Sequence, residues 1–183
     1  MLGDFGATLA AARAGAEWAW RDIYRETAGP VGRFLRARGV RDPEDVLGDT
    51  FLNVVRSIDR FDGDADAFRA WVFAIARNTA IDRDRWLARR PARPVPLDDL
   101  AAVGPMGDAE ADAMDELSVE HVRRVLDRVT PDQRDVLLLR ILGGLTVEQV
   151  AAAVGRSAGA VKMLQARGLG AIRREIERGA VTL

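Results

Sequence analysis

The chain has 183 residues, 27 basic and 28 acidic side chains, a formal net charge of −1, no cysteine and one histidine. One ordinary domain or two small ones fit that length, whereas a disulfide framework, a thiolate metal site and a histidine-rich metal centre do not fit that composition. No run reaches the roughly 18 to 20 apolar residues of a membrane span, and the start MLGDFGATLAAARAG lacks the cationic region and apolar core of a signal peptide, so a cytoplasmic protein without membrane insertion is expected.

In chain order, Trp18, Trp20, Ile23, Tyr24, Val31, Phe34 and Leu35 recur at helical spacing and predict one or two helices of a first core. Asp42-Pro43-Glu44-Asp45 predicts a helix start: an acid at the N-cap, proline at the first helical position, and carboxylates where the macrodipole favours them. Val46, Phe51, Leu52, Val54, Val55 and Ile58 then form an apolar face that ends near Asp59. A polar turn over 59–66 follows, with Phe61 set among acids. Next comes a long helix over about 67–87, with Phe68, Trp71, Val72, Ile75, Ala76 and Thr79 on one face. Arg69, Arg77, Asn78, Arg83 and Arg85 are spread around the rest. Rings interleaved with arginine and asparagine suit unpaired bases, which stack on aromatics and offer Watson–Crick edges to an amide. The same spacing also suits an ordinary core helix with a solvated face.

Residues 91–115 carry one arginine and six acids, together with prolines and glycines, and read as a flexible acidic linker. The flanking stretches 1–90 and 116–183 are net positive, so acid is concentrated in the middle and both ends can meet nucleic acid. His121, in a helical run over 119–129, reads as a surface residue and not as a catalytic base.

Thr130-Pro131-Asp132-Gln133 repeats the helix-start device with a complete capping box. Residues 145–167, LTVEQVAAAVGRSAGAVKMLQAR, predict two short helices and a tight turn. Thr146 and Gln149 form a capping box, Gly155 bends the chain, and Ser157 caps the second helix. Val161 and Leu164 point inward. Arg156, Ser157, Lys162, Gln165 and Arg167 are left for phosphates and base edges, as in a DNA-binding helix-turn-helix. A plain helical hairpin has the same local pattern. No period-two alternation of strands occurs, so the expected class is all-α: two small helical domains, the second containing the helix-turn-helix.

The string DPEDVLGDTFLNVVRSIDRFDGDADAFRAWVFAIARNTAIDRDRW, followed after the linker by VTPDQRDVLLLRILGGLTVEQVAAAVGRSAGAVKMLQARGLGAIRR, resembles the extracytoplasmic-function class of bacterial sigma factors. The resemblance covers nearly the whole chain. It implies a region 2-like domain over 1–88, a linker over 89–115 and a region 4-like domain over 116–183. It also implies a promoter-specific initiation factor, not an enzyme, with no cofactor, metal or catalytic residue. Asp45, Gly48, Asp49, Phe51 and Leu52 would dock on the clamp helices of the polymerase β′ subunit, with the β flap as a further contact. Phe61, Asp62, Arg69, Trp71, Arg77, Asn78, Arg83 and Arg85 would meet melted minus-ten DNA. Arg156, Ser157, Lys162, Gln165 and Arg167 would meet the minus-thirty-five duplex. An anti-sigma factor is an expected partner, and the acidic linker would thread toward the polymerase channels. The chain departs from the family pattern at Gly48, where glutamine is common, at Ala158-Gly159-Ala160, where glutamate-glycine-threonine is usual, and at Gln165, where histidine is frequent. The alternative is a stand-alone helix-turn-helix regulator with an N-terminal interaction domain.

Overall fold

The computed structural model describes residues 4–89 and 122–178, and both stretches are helical without strands. The acidic linker and His121 lie outside the described residues. The first stretch holds α1 (Phe5–Arg13), α2 (Glu17–Arg38), α3 (Pro43–Ser57), a 3₁₀ turn (Ile58–Arg60) and α4 (Ala65–Arg89). Helical residues 122–126 then lead into α5 (Pro131–Ile141), α6 (Val147–Val154) and α7 (Ala158–Glu177).

α2 runs unbroken over 22 residues despite Pro30 and ends at Gly39, whose φ of 81° is left-handed. The backbone N–H groups of Gly39 and Val40 close on the carbonyls of Arg36 and Leu35, which satisfies the helix end. Ile23, Val31, Phe34 and Leu35 are fully buried, but Trp18 and Tyr24 are half exposed, so the sequence expectation of a core tryptophan and tyrosine there is corrected. Tyr24 reaches α3 but only lids it, its ring lying 4.7 Å from that of Phe51. The core of this half is closed by Val46 and Val54 from α3 and by Phe68, Val72, Phe73 and Ala76 from α4, with Phe34 and Phe73 packed edge to face at 5.7 Å.

The start of α3 also differs from expectation. Asp42 precedes Pro43 as predicted, yet its φ is 55° and its carboxylate caps no backbone N–H. Aspartate tolerates the left-handed region better than most residues, and here the carboxylate turns toward Arg83 of α4, at 3.9 Å. The acid that does cap is Asp64, which accepts from the Ala67 N–H at 2.8 Å and sets the first turn of α4.

In the second half both predicted capping boxes are present, Thr130 with Gln133 and Thr146 with Gln149. α5 buries Asp135, Val136, Leu137, Leu138 and Leu139 in succession. A helix covered on every side sits between two layers. One side of α5 packs on α6 and α7, the other on α2, while α6 packs on α4. The helix-turn-helix domain therefore lies against the first domain.

Candidate nucleic-acid interface

The site in the first half starts from the turn before α4. Phe61 is the centre of a ring cluster: Phe5 of α1 at 6.4 Å, Phe68 at 5.2 Å and Trp71 at 5.1 Å. Only 6% of Phe61 is exposed, so its ring is a pin inside the turn and not an open stacking platform. Trp71 is half-buried at its edge. Asn78 is exposed, two helical turns farther along α4 and on the same side of the helix. Asp62 is exposed at the head of the turn.

The four arginines predicted for the DNA backbone are all engaged. Arg69 donates to the Gly143 carbonyl at 2.8 Å, and Arg77 pairs with Asp135 at 2.8 Å, both across the domain boundary. Arg83 lies 3.4 Å from Asp45 and its guanidinium covers the Trp86 ring at 5.5 Å. Arg85 pairs with Asp82 at 3.5 Å in the open, where water and salt leave little net attraction.

Sequence reasoning did not find Asp135. Its carboxylate holds Arg38 through one oxygen at 2.9 Å and Arg77 through the other at 2.8 Å, and only 5% of its side chain is exposed. Arg38 reaches Asp84 as well, at 2.8 Å, and its own carbonyl accepts from Arg134 at 3.2 Å. Burial alone would lower the Arg38 pKa, but Asp135 and Asp84 outweigh it and hold the pKa above the ordinary guanidinium value. The available signal was an acid placed directly before the apolar run Val136 to Leu139 of α5. A further link runs from Gln149 of α6 to the Asp66 carbonyl at 3.4 Å.

On α3, Gly48, Asp49 and Leu52 share the exposed outer surface with Val55. Nothing lies within 4 Å of where a Gly48 side chain would start, so packing does not demand glycine there. Phe51 faces the other way and is covered by Tyr24 at 4.7 Å between ring centres.

In the second half the turn into the helix-turn-helix is held by Arg140, which donates to the Leu145 carbonyl, and by Gly144 with φ 65°. Gly155, also at φ 65°, separates α6 from α7, and Ser157 accepts from the Ala160 N–H at 3.2 Å. Val161 is fully buried, so α7 turns its other side outward with Lys162 and Arg167 exposed and Gln165 half-exposed. Arg167 shares a shallow groove with Gln133 and Arg174, a basic neighbour that the sequence pattern did not single out. Arg156 pairs with Asp132 at 2.5 Å, with both side chains about half exposed.

Among the described residues no group of three or more acidic or histidine side chains is arranged to hold a metal, and no helix is long and apolar enough to cross a membrane.

Two family patterns match the chain: Sigma-70 region 2 over residues 23–90 and Sigma-70 region 4 over 125–174. The ECF RNA polymerase sigma factor SigD of Mycobacterium tuberculosis is 31% identical over 93% of this chain and 82% of its own length. The ECF RNA polymerase sigma factor SigC of the same species is 33% identical over 86% of this chain and 83% of its own. The fold is shared with CnrH, solved in complex with the cytosolic domain of CnrY, at a TM-score of 0.69 and 22% identity over 94% of this chain and 96% of that one. It is shared also with RpoE of Bartonella quintana, solved with the anti-sigma factor NepR, at a TM-score of 0.65 and 18% identity over 86% and 96%.

Proposed function

Because the chain belongs to the extracytoplasmic-function class of RNA polymerase sigma factors, we propose that α4 and the turn before it capture the melted minus-ten strand while α7 reads the minus-thirty-five element as duplex. The protein is a transcription-initiation subunit and not an enzyme; it works with core RNA polymerase on promoter DNA. A stand-alone regulator would give the region 2 half no role, and the two matches in one chain set that alternative aside.

One observation carries the assignment of strands: exposed Asn78 follows Trp71 by two turns on α4, in the same chain as a fully capped helix-turn-helix. Flipping a base out of the duplex costs a few kcal/mol of unstacking and unpairing. A half-buried indole and an exposed amide two turns apart on one face offer stacking and an edge contact along the strand that repay this cost, so melting needs no nucleotide hydrolysis. On the duplex, Arg167, Lys162 and Gln165 project from the outer side of α7, with Ser157 and Arg156 at its start. Gly48, Asp49 and Leu52, with Asp45 at the start of α3, form the docking surface for core polymerase, and Phe51 backs that surface from inside.

The contacts across the domain boundary oppose DNA capture. Arg69 and Arg77 cannot hold phosphates while they bind Gly143 and Asp135, so the domains must part before the strand is seated. Core polymerase, binding α3, is the agent of that parting. Once they are apart, the tether keeps the two weak DNA contacts at high effective concentration. An anti-sigma factor that favours the closed pairing would silence the chain, and the whole cycle would run in the cytoplasm with the polymerase.

The direct test is reconstitution. Core polymerase mixed with this chain is expected to copurify with it and to start transcription at discrete sites; duplex binding without core binding would overturn the reading. In the same system, Arg167→Ala should weaken minus-thirty-five binding and reduce the slope of log affinity against log salt by about one, the signature of one lost phosphate contact. An unchanged slope would remove Arg167 from the backbone.

A further inference from the structure

We propose that α1 is a splint for the strand-capturing turn, and that Arg13 is its positioning residue. This rests on the assignment of that turn to the minus-ten strand. α1 lies outside the stretch that matches region 2, which begins at residue 23.

α1 is well anchored. Thr8, Leu9 and Ala12 are buried against the first domain, and the Trp20 indole N–H donates to the Ala12 carbonyl at 3.0 Å. From this base the helix touches the turn at two points. At its C-terminal end Arg13 donates through Nε to the Ile58 carbonyl at 3.4 Å and through Nη2 to the Phe61 carbonyl. At its N-terminal end the Phe5 ring packs on Phe68 at 5.4 Å and on Phe61.

The two carbonyls are where the chain leaves helix. Ile58 closes α3 and opens the 3₁₀ turn, and Phe61 is extended, with φ −73° and ψ 134°. The Ile58 carbonyl also accepts from the Phe61 N–H at 3.1 Å, and the helix end carries the negative end of the dipole, so a cation bonded to both the Ile58 and Phe61 carbonyls holds the point where the helix stops. The turn is then wound tightly on Phe61: a side chain at Gly63, whose φ is 150°, would start 2.8 Å from the Ala67 Cβ and 3.2 Å from the Phe61 ring. Setting the backbone of Phe61 therefore sets its ring, the turn over 62–64, and the Trp71 edge against which the ring packs. Arg13 touches no DNA in this scheme; it acts through Phe61.

The test uses holoenzyme assembled from core polymerase and the full chain, on a promoter mapped with the unaltered protein. Strand opening is read by permanganate reactivity of unpaired thymines, beside core affinity and minus-thirty-five duplex affinity. Arg13→Ala is expected to lower opening by roughly three- to tenfold, the loss of two charge-assisted hydrogen bonds, with both affinities within about twofold. Arg13→Lys should recover part of the loss, since an ammonium can hold one carbonyl but not both in the fork geometry. Asn78→Ala is the control for the strand assignment. Unchanged opening in Arg13→Ala, with opening reduced in Asn78→Ala, overturns the splint alone; unchanged opening in both overturns the assignment beneath it. A loss of core affinity equal to the loss of opening, or no recovery with lysine, also overturns the proposal.

Discussion

Asp135→Asn is expected to shift the chain from closed to open by about a hundredfold or more. The carboxylate sits between Arg38 and Arg77, whose side chains are 11% and 14% exposed. Removing one partner of a buried ion pair typically costs about 3–5 kcal/mol, because the remaining charge stays desolvated. Here the cost has an outlet. If the domains separate, both guanidinium groups meet water, so the lost energy appears as opening and not as unfolding of either half. Each factor of ten in that equilibrium corresponds to about 1.4 kcal/mol. The chain has no cysteine, so a pair introduced at exposed Asp59 and Ala166 can carry fluorophores without background labelling. Energy transfer should fall in Asp135→Asn, and binding of the free chain to a single-stranded minus-ten oligonucleotide should rise as Arg77 is released. Unaltered transfer would show that Asp135 does not hold the domains together. Arg38 itself adds no pH dependence near neutrality. Its folded pKa is raised, so its contribution is fully present below the unfolded value and is lost only as pH climbs through the folded one, far into the alkaline range.

The second large effect belongs to Asn78. It is exposed in the closed state, its role needs no released arginine, and an amide is the group that can both donate to and accept from a base edge. Asn78→Ala should reduce open-complex formation by about 10- to 100-fold, the equivalent of one good base contact at roughly 1–3 kcal/mol. Affinity for the minus-thirty-five duplex should stay the same, because single-strand contacts form only after melting. Equal losses in both assays would take Asn78 out of the strand site.

These two residues differ in how they were found. Asn78 is proposed from its place among arginines and aromatics and from the family resemblance, and the structure adds that it is exposed. Asp135 was not legible beforehand. The capping boxes of α5 and α6 and the Ser157 cap were legible for one reason: each hydrogen bond spans three residues, so the sequence displays donor and acceptor together. The Asp42 start had the same local grammar and behaved differently, because Arg83, 41 positions away, competes for its carboxylate at 3.9 Å. Trp18 and Tyr24 are half exposed because apolar character does not say how deep a ring will sit: Tyr24 meets Phe51 of α3 from the rim. Phe61 looked stranded among acids, yet it is buried, since the rings that cover it come from α1 and α4.

The all-α class and the two-part organisation are legible in the chain because they rest on periodicity, the caps at Thr130, Thr146 and Ser157 because they rest on contacts a turn apart, and the family because its motifs resemble known ones. Which partners the arginines take is set by packing instead. Arg38 meets Asp135 across 97 positions, and Arg69 meets Gly143 across 74. Pairs that distant are chosen by how whole helices pack, and burial then makes the pairing strong: with water excluded, a charge must find its opposite or the surfaces part.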